Sequence, residues 1–235
     1  MEARYAFRKT PLLDECQVAP EIFEQVIPRL SPFMKPFVKI FQGQGDGQHA
    51  TTSVCGLLSD VERTNIASIA SRFGQSRLPL QAFIGWHEWD DEPLRPEWRS
   101  QVKTHVGQGD GVLVCDPSGF PKSGGESVGV ARQWCGRLGK VDNCQVAMDL
   151  GYVSRKGHTL VDTRRSLPKA WTKDKARLDK AGVPTGYRGS RTRHQLALER
   201  LAKNGACLPQ SWMAGDDEIG RPSWFRRRLA ALGER

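Results

Sequence analysis

Apolar residues recur at helical spacing through roughly the first hundred positions, then gather into short continuous or alternating runs after residue 111. In VCGLLSDVERTNIASIASRFG, Val54, Leu57, Leu58 and Val61 trace one stripe. Ile66, Ile69, Ala70 and Phe73 continue it after a slip of one position. Gly74 then predicts a left-handed stop. Leu94, Trp98 and Val102 repeat every four residues and predict a further helix that ends before VGQGDG. Trp86, Trp89 and Trp98 read as packing anchors of this helical region. The stretch SPFMKPFVKIFQGQGDGQHATTS predicts a short helix followed by a mobile loop. Its QGQGDGQ run has a GxGxG look, but it follows no convincing strand and lacks a P-loop lysine.

Beyond residue 111 the period changes. Val112 to Cys115 is a continuous apolar run, the pattern of a fully buried strand. CQVAMDLGYVS (144–154) and HTLVDTRRSLP (158–168) are rich in strand formers and predict a hairpin with Gly157 in its turn. Thr192 and Gln195 have capping-box spacing, so a helix is expected from there, with Gly205 closing its far end. A strand at 211–215 and a helix over WFRRRLAALG follow, the latter with Trp224, Leu229 and Leu232 as its expected buried side. This order predicts an α/β layer with mixed strand directions. The glycine-rich 106–111 segment marks the expected boundary between a helical domain, 1–106, and a mixed-sheet domain, 111–235.

Composition narrows the class. A chain of 235 residues with 38% apolar and 26% charged side chains holds a real core and excludes wholesale disorder. No signal-peptide core and no eighteen-residue apolar run is present, so a soluble protein with no membrane partner is expected. Six cysteines and five histidines are scattered without zinc-ligand or disulfide-framework spacing, which points to reduced thiols inside a cell. The net charge of +9 is concentrated: Arg155 to Arg200 carry thirteen Lys and Arg against four Asp and Glu, and the rest of the chain balances. Such a segment is either a solvated basic face or the footprint of a polyanion partner.

Two stretches share a grammar. GVLVCDPSGFPKSG and SWMAGDDEIGRP each run from apolar residues into an aspartate, Asp116 and Asp216, at an expected strand end. In an open α/β sheet, chemistry gathers beyond the carboxyl ends of the central strands. Carboxylates on neighbouring strands repel unless a cation sits between them, and magnesium suits such oxygen donors. Against this stands the ordinary role of such an aspartate as turn former or helix N-cap.

The same blocks carry a resemblance. GVLVCDPSGFPKSG, SVGVARQWCGRLGKVDNCQVAMDL, LPKAWTKDKARLDKAGVP and WMAGDDEIG, with CGLLSDVERTNIASIA and LQAFIGWHEWDDEPLR upstream, resemble in order the DDE transposases of bacterial insertion sequences, in particular the insertion-sequence 701 family. The resemblance implies an RNase H-like fold that cuts and joins double-stranded DNA at element ends. It implies Mg2+ or Mn2+ held by two aspartates and a glutamate, a second transposase copy as a further partner, and a cytoplasmic, nucleoid-associated location. Asp116 matches the first acid and Asp216 the second, as catalytic and metal-binding residues, with Asp217 and Glu218 as flanks. The glutamate is expected on a later helix, a place that neither Glu199 nor Glu234 matches. The chain is therefore expected to be an N-terminal portion of a transposase, its RNase H-like domain incomplete and its catalysis impaired. The alternative is a non-catalytic DNA-binding remnant or regulator of the full-length enzyme. Lys122 six residues beyond the first acid, Arg132 in the VARQWCG block, and Lys169, Lys173, Lys175, Arg177, Lys180, Arg188, Arg191 and Arg193 in the basic segment are the expected DNA contacts. Gln133 and Trp134 offer an amide and a stacking ring, although the core is the favoured place for Trp134.

Overall fold

A computed structural model describes residues 26–43, 45–59 and 61–233, and the chain divides into two compact units between Glu97 and Trp98. The first unit is helical: α1 (Val26–Val38), α2 (Asp46–Leu57), α3 (Ile66–Arg72) and α4 (Arg77–Gly85), with α5 (Leu94–His105) starting near its end. The last three residues of the expected loop at 42–48 are helix, because α2 starts at Asp46, whose carboxylate suits the positive end of a helix. The single stripe predicted over 54–73 is two helices. The slip of one position marks the break between them, and Leu57 at the end of α2 is 61% exposed. Asn65 caps α3 by accepting from Ser68 N–H, and Gly74 beyond it has φ +61°, the predicted left-handed stop. Ile69, Ala70 and Leu80 form a small core. Trp89 is an anchor: its ring stacks on Phe83 at 5.6 Å and its indole N–H donates to Phe83 O at 3.2 Å. Trp86 is not, being 68% exposed.

The second unit is built on a mixed five-stranded sheet, in keeping with the α/β and RNase H-like expectation. Its strands are β1 (Val112–Pro121), β2 (Ala131–Cys135), β3 (Lys140–Ser154), β4 (Gly157–Arg165) and β5 (Trp212–Gly215). β3 and β4 form the predicted hairpin, with Gly157 at φ +149°. β3 pairs antiparallel with β1 along one side, and with β2 and then β4 along the other. β5 lies parallel to the first half of β1, and only there. Neither β2 nor the second half of β1 is among the expected strands. DPSG reads locally as a turn, yet Asp116 through Pro121 continue as strand because β3 supplies a partner at every position. Pro117 is tolerated there since β5 has already stopped, leaving that half of β1 paired on one side only.

One face of the sheet is closed by α8 (Arg193–Asn204), α9 (Asp217–Gly220) and α10 (Ser223–Ala231). Leu113, Cys115, Leu150 and Tyr152 bury against Leu196, Ala197, Leu201, Ile219 and Phe225. The capping box on α8 forms as predicted: Thr192 accepts from Gln195 N–H, and Gln195 accepts from Thr192 N–H. Gly205 is not a left-handed stop; at φ −56° it leads into a 3-10 turn, Gly205–Cys207. In α10 the buried residue is Phe225 rather than Trp224, which is 47% exposed. Tyr152 fastens the loops beneath the sheet: its hydroxyl accepts from Gln108 N–H at 2.9 Å and lies within bonding distance of the Gln108 and Pro209 carbonyls. Tyr152→Phe leaves these groups unsatisfied and is expected to cost about 1–3 kcal/mol in urea denaturation. A loss below about 0.5 kcal/mol contradicts that role.

The basic segment folds around a small core of its own. α6 (Lys169–Thr172) and α7 (Lys175–Lys180) enclose Trp171, Leu178, Val183, Leu167 and Val130, and the Trp171 indole donates to Val130 O at 2.8 Å. Among the described residues, no helix is long and apolar enough to cross a membrane.

Candidate active site

Parallel pairing decides where the two aspartates go. Cys115 and Gly215 are partners across β1 and β5, so the next residues, Asp116 within β1 and Asp216 just past the end of β5, follow at the same level. Neighbouring strands lie about 4.8 Å apart. Gly215 makes this closeness possible: a Cβ there would meet Ile219 at 3.0 Å and the Cys115 carbonyl at 3.3 Å.

The two play different local roles. Asp216 is the N-cap of α9, one carboxylate oxygen accepting from Ile219 N–H at 2.8 Å, so the capping reading and the site reading coexist. Asp116 caps nothing. It lies in mid-strand opposite Asp149 of β3, which is itself held by the Thr163 hydroxyl at 2.5 Å. The Asp116 carboxyl is held above the ordinary carboxylate range, first by burial and then by the negative charges of Asp216, Asp149 and Glu218.

Both aspartates line a pocket of about 470 Å³ that opens along the second half of β1, where β5 no longer covers its edge. Phe120, Trp134, Arg137, Arg193 and Glu218 complete much of the wall. Trp134, expected in the core, is 50% exposed, because β2 is an outer strand and its partner Val141 is exposed as well. Gly119 lets the chain after β2 cross close over β1, since a Cβ there would sit 2.9 Å from Cys135 Sγ.

Glu218, a flank residue by sequence, is a wall residue whose carboxylate is ion-paired with Arg193 from the start of α8. The one-turn helix after Asp216 is what turns Glu218 back into the pocket, and the run DDEIG is too short to announce it. Asp149 is not among the expected site residues either; no motif marks it, and only the β1–β3 register brings it opposite Asp116. Glu199 pairs with Arg191 at 2.9 Å and is not part of the pocket wall, while Glu234 lies outside the described residues.

The ten cationic residues expected at DNA divide in two. Lys180 pairs with Glu126, Arg188 with Asp179, Arg191 with Glu199 and Arg193 with Glu218. Arg177 donates to Gly125 O and lies over the Trp171 ring. Lys122, Arg132, Lys169, Lys173 and Lys175 are exposed and form no side-chain ion pair among the described residues.

The donor set is all oxygen, anionic and mutually repelling, which fits a hard divalent cation. Among the described residues no group of three or more His, Cys, Asp or Glu is arranged to hold a metal; of the three carboxylates in the pocket wall, Glu218 is ion-paired with Arg193 while Asp116 and Asp216 form no ion pair.

A family model described as "DDE superfamily endonuclease" matches residues 36–235. A curated relative from Microchaete diplosiphon, "Probable transposase for insertion sequence element IS701", is 35% identical over 95 residues. That match covers 40% of this chain and 25% of the relative, so it spans only a quarter of the relative's length. No solved structure matches the chain.

Proposed function

Because the chain belongs to the DDE superfamily endonucleases, we propose that it is an insertion-sequence transposase polypeptide that binds double-stranded DNA at element ends and holds Mg2+ or Mn2+ between Asp116 and Asp216. The carrying observation is the parallel β1–β5 register, which brings those two carboxylates to one pocket. In this reading residues 111–235 form the catalytic portion, and the helical region described from residue 26 onward precedes it in the chain. A bound divalent ion supplies polarisation of the scissile phosphodiester and activation of the attacking hydroxyl.

The chain's own groups do the rest. The Ile219 N–H fixes the Asp216 carboxylate and leaves its other oxygen free to ligate. Asp116, repelled by its neighbours while ionised, gains most from a cation. Arg193 neutralises Glu218 and keeps it from serving as a third ligand. On that account the polypeptide alone cleaves slowly, and its stronger property is binding to DNA. Balancing the charge of a phosphodiester displacement takes more than two free carboxylates. Lys169, Lys173 and Lys175 contact the phosphates, with Lys122 and Arg132 nearer the pocket and the ion-paired arginines shaping the surface around them.

Fluorescence anisotropy with a labelled duplex across a salt series tests the reading. The logarithm of the association constant is expected to fall linearly with that of salt concentration. Replacing Lys169, Lys173 and Lys175 together by Gln should lower the slope by about 2–3, near 0.9 for each phosphate that is no longer neutralised. Absent binding, or binding indifferent to salt, overturns it.

A further inference from the structure

Lys180, Arg188, Arg191 and Arg193 are each ion-paired, and one of these pairs is built into the wall of the acidic pocket. The carboxylates joined to Lys180, Arg188 and Arg191 lie outside that wall, whereas Arg193 and Glu218 both belong to it, beside Asp116 and Asp216. Backbone on both sides of this pair is fixed. The Thr192 and Gln195 capping box starts α8 at Arg193. Asp216 caps α9, and the His194 ring Nε2 lies 3.2 Å from the Glu218 carbonyl, which pins α9 to α8. The side chains themselves are freer, Arg193 at 26% and Glu218 at 51% exposure. An ion pair this open to solvent favours its closed form over its open one by about fivefold at most.

A guanidinium takes a phosphate in the same two-pronged way as a carboxylate, and a duplex offers many phosphates at once. When a phosphate takes Arg193, Glu218 is left uncompensated beside Asp116 and Asp216, a repulsion that a divalent cation relieves. Two ligands that both favour the open pair favour each other. Resting on the DNA- and cation-binding reading above, we propose that the Arg193–Glu218 pair is a switch that makes the cation site respond to DNA. Closed, the pair lowers the negative charge of the pocket. Opened by a backbone phosphate on Arg193, it exposes the Glu218 carboxylate to the cation between Asp116 and Asp216. Glu218 acts through its charge, since no three acids among the described residues are arranged to ligate one ion. The coupling has a ceiling. Neither ligand can gain more than the closed pair costs it, so each raises the other's affinity by about fivefold at most.

The test measures the affinity of the full chain for a fluorescein-labelled duplex by anisotropy, at one ionic strength, with Mg2+ and with EDTA. The ratio of the two affinities is the readout, because contacts between cation and phosphate that bypass the pair contribute equally to every variant. The parent ratio is expected to exceed that of Arg193→Gln by about three- to fivefold. Glu218→Gln and the double variant share the lower ratio, since each lacks a half of the switch. Without DNA, Arg193→Gln should gain more thermal stabilisation from Mg2+ than the parent. In EDTA, Glu218→Gln should bind the duplex more tightly than the parent, its arginine being already released. Arg193→Lys, which can still pair, should keep part of the parent ratio and guards against a fold defect. Equal ratios in the parent, Arg193→Gln and Glu218→Gln overturn the switch while leaving DNA and cation binding intact. A parent that Mg2+ does not stabilise, or whose duplex binding ignores salt, overturns both the switch and the reading beneath it.

Discussion

Asp116→Asn and Asp216→Asn are each expected to abolish the thermal stabilisation that Mg2+ should give the parent chain. An ion held only by the folded state at a hundred times its Kd adds about 2.7 kcal/mol, a rise of roughly 5–10 °C for a unit of this size. Without the ion the sign reverses for Asp116. Its folded pKa is raised, so its contribution to stability is fully present below 3.8 and is lost as pH rises through the folded value. At neutral pH the ionised carboxylate is therefore a liability, and Asp116→Asn melts higher than the parent in metal-free buffer. With Mg2+ the order is expected to invert, because on the proposed reading the parent gains the ion and the variant does not. If the chain nicks element-end DNA with Mg2+ as proposed, that nicking is expected to fall to the metal-free level in both variants. Differential scanning calorimetry with and without Mg2+, supported by calorimetric titration, measures the effect. Equal heats of Mg2+ binding in parent and Asp116→Asn dispose of the site.

The second large effect lies in the support behind the pocket. Arg200 of α8 donates to Asp162 of β4 at 3.0 Å, and Asn204 one turn later donates to the same carboxylate oxygen at 2.9 Å. The pair is almost dry, with side-chain exposures of 10% and 6%, and the Arg200 Nε is buried without a partner. Asp162→Ala strands a guanidinium in the core and is expected to cost about 3–5 kcal/mol, a drop on the order of 10 °C in Tm. Asp162→Asn, which keeps an acceptor, should cost much less. Asp162→Leu combined with Arg200→Met should recover most of the loss, since an apolar pair of similar volume avoids the desolvation of both ions. The network ties β4 to the helix whose first residue, Arg193, reaches Glu218. Asp162→Ala should therefore also loosen the pocket, read as weaker Mg2+ stabilisation. A loss under about 1 kcal/mol in urea denaturation, the contribution of an exposed pair, contradicts the argument.

Much of the site is legible in the sequence because it is punctuated locally. An aspartate that ends an apolar run, the capping box at Thr192 and Gln195, and the glycine in the β3–β4 turn act through neighbours in sequence, so residue type and spacing specify them. The departures share a cause. Trp134 and Trp224 have the size of core residues, yet one lies on an outer strand and the other beside Phe225, which takes the buried position on the same helix. DPSG has every local mark of a turn, and cross-strand hydrogen bonding to β3 overrides it. Glu218 looks incidental in sequence, and only the short helix after Asp216 turns it toward Arg193.

By itself the sequence determined the helical region followed by a mixed α/β unit, the two aspartates after apolar runs, the concentration of positive charge, and the blocks that resemble insertion-sequence transposases. Each rests on periodicity, capping or composition, which act over a few residues or over the chain as a whole. Only the tertiary structure decided that Asp116 and Asp216 are neighbours, that Asp149 and Glu218 raise the negative potential around them, and that half of the expected DNA-binding cations are held by other groups of the protein. Those outcomes depend on strand register and on which carboxylate or carbonyl a long side chain meets. Both are set by long-range pairing between segments up to a hundred residues apart, and no local pattern encodes them.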